Sequence, residues 1–117
     1  MDIQETVSGL VQELRRGTII IGVLSQLTQP QYGYSLVTVL KEKGVTVDPN
    51  TLYPLLRRLE KQGLLESAWD TNETRPRKYY SLSPAGQEVY IRLCEEWRSM
   101  RDSMDTLIDG GNNRGTD

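Results

Sequence analysis

Between residues 49 and 65 the chain reads PNTLYPLLRRLEKQGLL, and Leu52, Leu55, Leu56 and Leu59 fall at i, i+3, i+4 and i+7. That spacing sets four leucines on one stripe of an α-helix, and the stripe needs a core to enter. Pro54 lies within the same stretch, where an interior proline costs about 3 kcal/mol through a lost hydrogen bond and a steric clash. With Asn50 as the N-cap, a favoured capping residue, the helix starts at Thr51 and the loss is confined to its opening turn. Gly63 ends the helix. Asn50, Tyr53, Pro54, Arg57, Arg58 and Lys61 are then expected on the side away from the leucines.

The flanking segments extend this pattern. Residues 3 to 28 carry Val7, Leu10, Val11, Leu14, Ile21 and Leu24 at helical spacing, with Gly17 a weak point in the middle. Around Ile19, Ile20 and Ile21 the segment is apolar on several sides and is expected to run through the core. TQPQYG reads as a turn, followed by a short helix from about Tyr34 to Lys43 with Gly44 at its C′ position. Beyond Gly63, LLESAWD and RKYYSLS alternate as two strands joined by the polar loop TNETRP. Of the adjacent Tyr79 and Tyr80, one is expected in the core. Ser83 caps a last helix with Pro84 at its first position, running to about Ile108.

The order helix, helix, helix, hairpin, helix predicts a mainly α fold with a small β-hairpin. It is a winged helix-turn-helix with a long C-terminal dimerisation helix. Residues 1–83 form the expected DNA-binding domain with its N-terminal helix, 84–108 the dimerisation helix, and 109–117 a disordered tail without apolar residues.

Composition narrows the function. The chain has no histidine and a single cysteine, Cys94, so no Cys/His zinc cluster, histidine base or Cys–His pair can be assembled. The expectation is no catalytic residue, no metal site, no cofactor and no enzyme. One cysteine also precludes an internal disulfide and fits a reducing compartment. The start MDIQETVSG lacks a signal-peptide pattern, and the longest apolar run, TIIIGVL, is far below the roughly 18 residues of a membrane span. A cytoplasmic protein without a membrane partner is expected.

The net charge is −2, yet binding to nucleic acid depends on where charge sits. In a helix-turn-helix the second helix enters the major groove with its N-terminal residues at the base edges. Thr51 and Tyr53 are the expected base readers with Arg57 close behind, while Arg58 and Lys61 are expected on phosphates. An ordinary amphipathic helix with a solvated basic face would look the same. The wing tips the balance, because Arg75, Arg77 and Lys78 form a second basic cluster beside the first.

On the last helix Tyr90, Leu93, Trp97, Met100, Met104 and Leu107 recur at spacings of 3 and 4, a narrow heptad seam suited to a second copy of the same helix. A homodimer also suits a twofold-symmetric, palindromic double-stranded DNA operator. Trp97 beside flexible methionines, Met100 first among them, is either packing or the wall of an adaptable apolar pocket.

PQYGYSLVTVLKEKG, DPNTLYPLLRRLEKQGLLESAW and RPRKYYSLSPAGQE together resemble the PadR family of transcriptional regulators over about residues 17 to 107. The short chain with one C-terminal helix is similar to the family's small multidrug-sensing subgroup. That resemblance implies a dimeric repressor whose last helices cross between subunits. It also implies that Trp97 flanks a pore at the dimer interface and stacks on a planar aromatic effector. The wing departs from some relatives in lacking a glycine-rich tip. Two other readings stay open: a winged helix that binds protein, and a DNA-binding regulator without an effector.

Overall fold

The computed structural model describes residues 1–72 and 74–113 of the 117-residue chain. Among them the order is α1 (Ile3–Gln26), β1 (Gln31–Tyr32), α2 (Gly33–Glu42), α3 (Pro49–Lys61), β2 (Leu65–Asp70), β3 (Arg77–Leu82) and α4 (Pro84–Asn113). β2 and β3 pair antiparallel from Leu65 opposite Leu82 to Asp70 opposite Arg77, which is the expected hairpin. β1 adds to the other edge of β3, giving a three-stranded sheet in the order β1-β3-β2. TQPQYG is therefore more than the expected turn: Gln31 and Tyr32 face Tyr80 and Tyr79 across the sheet. A two-residue strand has no periodicity of its own; its existence depends on β3.

The leucine stripe enters the core as its spacing requires. Leu52, Leu56 and Leu59 are buried, and the half-buried Leu55 packs against the same cluster. They meet Val23, Leu24 and Leu27 of α1, Leu36 and Leu40 of α2, and Leu65, Tyr80 and Leu82 of the sheet. Fully burying each such side chain contributes about 1.5–3 kcal/mol. α1 passes through Gly17 unbroken, a cost of about 1 kcal/mol that its packed C-terminal half offsets. Of the two adjacent tyrosines, Tyr80 is the buried one.

Two boundaries differ from expectation in ways that matter. The N-cap of α3 is Asp48, not Asn50: its carboxylate accepts the Asn50 backbone N–H at 2.7 Å, and the helix starts at Pro49. Proline at the first helical position lacks only an N–H that would be unpaired there anyway. Pro54 consequently lies two residues deeper than expected, and the N–H it lacks is the one that would reach the Asn50 carbonyl. Both residues are exposed, so water can satisfy that oxygen.

At the other end, α4 does not stop at Ile108 but continues to Asn113. Residues 109–113 of the expected disordered tail are thus helical, and residues 114–117 lie outside the described ones. Each glycine of the Gly110–Gly111 pair costs about 1 kcal/mol in a helix, too little to impose a stop. Among the described residues, no helix is long and apolar enough to cross a membrane.

The start of α4 is locked as expected. The Ser83 hydroxyl accepts the Gly86 N–H at 2.9 Å and donates to the Gly63 carbonyl at 2.6 Å, while the Ser83 N–H donates to the Leu64 carbonyl at 3.0 Å. Gly86 has a second role that its neighbours impose. A Cβ there would stand 2.0 Å from the Leu64 carbonyl oxygen, so only glycine lets α4 leave the sheet this closely.

Candidate nucleic-acid interface

α3 presents three distinct sides. At about 100° per residue, Asn50, Pro54, Arg57 and Lys61 point directly away from the buried leucines, and all four are exposed. Thr51 and Arg58 lie on the flank toward α1, where they border a groove shared with Arg16. Tyr53 and Glu60 lie on the opposite flank, toward the wing. Tyr53 is half-buried and packs against the core, its ring so close to Gly33 that a Cβ there would be 2.9 Å from Cε1. Of the residues expected to meet DNA from this helix, four thus share the outward strip, two take one flank, and Tyr53 turns partly inward.

Two of the wing cations, Lys78 and Arg77, are held, each by a different device. Lys78 is half-buried, 3.3 Å from a Glu60 carboxylate oxygen, with its ammonium 5.2 Å from the Tyr80 ring centre. Glu60 also accepts a hydrogen bond from the Ser67 hydroxyl, which is the main cause of its lowered pKa; burial opposes the shift and Lys78 reinforces it. Burial alone would lower the Lys78 pKa, but the hydrogen bond and charge of Glu60, with help from Tyr80, raise it instead. The pair therefore stays ionised and ties the recognition helix to the hairpin.

Arg77 donates to the Tyr34 hydroxyl at 2.9 Å and lies 5.5–5.6 Å from the ring centres of Tyr34 and Tyr32, which stack on each other at 5.7 Å. Tyr32 in turn donates to Asp70 at 2.6 Å. That bond is the largest cause of a lowered Asp70 pKa, followed by the Asn72 backbone N–H. Arg75 stands exposed at the wing tip. Between wing and helix a cleft of about 530 Å³ is bordered by Tyr34, Tyr53, Tyr80, Arg75, Arg77 and Lys78.

Sequence reading named the cations of this surface but missed the groups that hold them. Tyr32, Tyr34, Glu60 and Asp70 are ordinary in isolation; the β1-β3-β2 pairing, and for Glu60 the packing of α3 on β2, brings them to the wing. The Asp48-Pro49 dipeptide did carry a readable signal, since a capping residue before proline marks a helix start.

The expected seam on α4 divides in two. Tyr90 and Leu93 are half-buried and pack against the chain's own core. Trp97, Met100, Met104 and Leu107 are exposed along the remainder of the helix, and Ile108 with them. Arg101 places its guanidinium 5.3 Å from the Trp97 ring centre. α1 adds an exposed stripe of its own, Ile3, Val7, Leu10 and Leu14, whose spacing was legible while its exposure was not.

The model of the Transcriptional regulator PadR-like family matches residues 20–92, from the packed half of α1 through the wing into α4. The transcriptional regulator Rv3488 of Mycobacterium tuberculosis is 31% identical over 101 residues, covering 86% of this chain and 92% of that protein. Among solved structures, a PadR family transcriptional regulator from Eggerthella lenta is 47% identical with a TM-score of 0.85, covering 90% of this chain and 94% of the other. A PadR-like transcription factor from Bacteroides fragilis is 29% identical with a TM-score of 0.70, over 85% and 98% of the two chains. The winged head, the long last helix and these likenesses agree: this chain belongs to the PadR-like family and is a DNA-binding transcriptional regulator, not an enzyme.

Proposed function

We propose that the protein is a homodimeric repressor that binds a palindromic operator and is released by a planar aromatic small molecule held between the subunits. It acts in the cytoplasm and belongs with the family's small multidrug-sensing members. The observation that carries the DNA-reading part is the outward strip of α3: Asn50, Arg57 and Lys61 are exposed, and neither cation is ion-paired with any described residue. Arg57 reads bases through its two-pronged guanidinium, and Lys61 and Arg75 contact phosphates. Two copies join through Trp97, Met100, Met104 and Leu107, which are exposed among the described residues. A ligand stacked on Trp97 and bordered by Met100 favours a dimer whose recognition helices are spaced wrongly for the operator, so it shifts the population away from DNA.

One observation favours a second reading, regulation without an effector. Arg101 already lies over one face of the Trp97 ring, so a planar ligand stacking on that face must displace that contact. Titration of a planar aromatic dye into wild type and Trp97→Ala separates the two. Weaker binding by the variant supports the pocket, and equal affinities dismiss it. For the DNA-reading part, gel shifts with the gene's upstream region are the test. Arg57→Ala is expected to cost about 1–3 kcal/mol of specific binding and to relax sequence preference; equal losses on specific and random DNA would remove Arg57 from base reading.

A further inference from the structure

The wing covers one flank of α3, and α1 supplies cations on the other. Arg15 and Arg16 border a groove with Asp48 and Thr51 at the start of α3. One turn further, Arg16 borders a second groove with Thr51, Pro54 and Arg58. Arg15, Arg16 and Arg58 are exposed, and none makes an ion pair with a described residue. The acid among them, Asp48, has one carboxylate oxygen taken up by the Asn50 N–H.

This contrasts with the wing flank, where Glu60 neutralises Lys78 and two tyrosines hold Arg77. Beside α3, then, Arg15, Arg16 and Arg58 on the α1 side and Arg75 at the wing tip are the cations without an ion pair among the described residues. On α1 itself, Arg15 and Arg16 lie more than about 100° around the helix from the exposed stripe of Ile3, Val7, Leu10 and Leu14. They are directed at α3 and not at the apolar face.

A major groove is about 12 Å wide and has a phosphate backbone along each wall. A helix lying in it meets one wall on each flank. We propose that Arg15 and Arg16 of α1, with Arg58, form a second phosphate-binding flank that grips the backbone wall opposite the wing. The inference rests on α3 being the helix that enters DNA, and it adds a contact surface outside the helix-turn-helix and wing.

The test measures binding against salt for wild type, Arg15→Ala/Arg16→Ala and Arg15→Lys/Arg16→Lys. The probes are a duplex from the gene's upstream region and a random-sequence duplex of equal length. The alanine pair is expected to weaken both duplexes by the same factor and to reduce the slope of log K against log salt by about 0.9 for each phosphate no longer neutralised. The lysine pair, which keeps both charges, is expected to restore most of that slope. Unchanged slope and affinity in the alanine pair would overturn the inference while leaving wild-type DNA binding intact, as would equal weakening by the lysine and alanine pairs, which marks a structural role. Absence of salt-sensitive binding by the wild type would instead overturn the reading of α3, and the inference with it.

Discussion

In the winged head, Leu36, Leu52 and Leu56 are wholly excluded from solvent, whereas Leu14 of α1 and Leu107 of α4 leave 75% and 69% of their surface open. The two regions use the same residue type at the same helical spacing. In the head, three helices and the sheet converge, so each leucine meets partners from the same chain. The N-terminal half of α1 and the C-terminal half of α4 extend past that core, in a molecule 65 Å long, and leave their apolar residues exposed among the described residues. Periodicity states that a helix face needs cover; only the arrangement of elements states whether the chain supplies it.

Changes of increasing subtlety test that contrast. Leu56→Ala should have the largest effect, destabilising the head by about 2–5 kcal/mol because it opens a cavity among fully buried neighbours. Urea unfolding reads this directly. Leu107→Asp, on an arm, should leave the stability of the head nearly unchanged while shifting the protein toward monomer at micromolar concentration in sedimentation velocity. A monomer–dimer balance that ignores this change would show that the exposed stripe is not the interface.

Gly86→Ala tests the joint between the two regions. The added methyl meets a backbone oxygen that cannot swing aside, and a cost of about 1–3 kcal/mol is expected for the forced shift. The smallest effect belongs to the wing tie. The Glu60 pKa is lowered in the fold, so the tie contributes stability that is present above the unfolded glutamate value of about 4.3 and is lost as pH falls through the lower folded value. Glu60→Gln should flatten the acid side of the stability–pH profile: a small loss of stability at neutral pH, where the tie is fully formed, that disappears as pH falls below the folded value. An identical profile in wild type and variant would show that the tie contributes nothing.

Much of the fold was legible because its signals are local. The leucine stripe, the glycines closing α2 and α3 at φ +91° and +83°, and the Ser83-Pro84 start of α4 all depend on residues within a turn or two of each other. The cap of α3 was misplaced because Asp48 and Asn50 are both good capping residues two positions apart, and the proline between them decides in favour of the first. β1 escaped notice because pairing with β3, not any property of Gln31 and Tyr32, makes it a strand.

The candidate interface was legible as a set of cations but not as a distribution of available charge. Lys78 and Arg57 look equivalent in sequence. In the fold, Lys78 meets Glu60 from another element, while Arg57 is exposed with no ion pair among the described residues. Arg15 and Arg16 were overlooked for the converse reason: they are remote from the recognition helix along the chain and adjacent to it in space.

By itself, then, the amino-acid sequence determined the helices, the hairpin and the exclusion of histidine-dependent chemistry and of an internal disulfide, because helical period, turn residues and side-chain inventory act over a few residues at a time. Tertiary structure alone decided which cations keep their charge for a partner, which tyrosines orient the wing, and where the chain's own core stops covering its apolar stripes. Those outcomes depend on contacts between residues distant along the chain, and no local pattern encodes them.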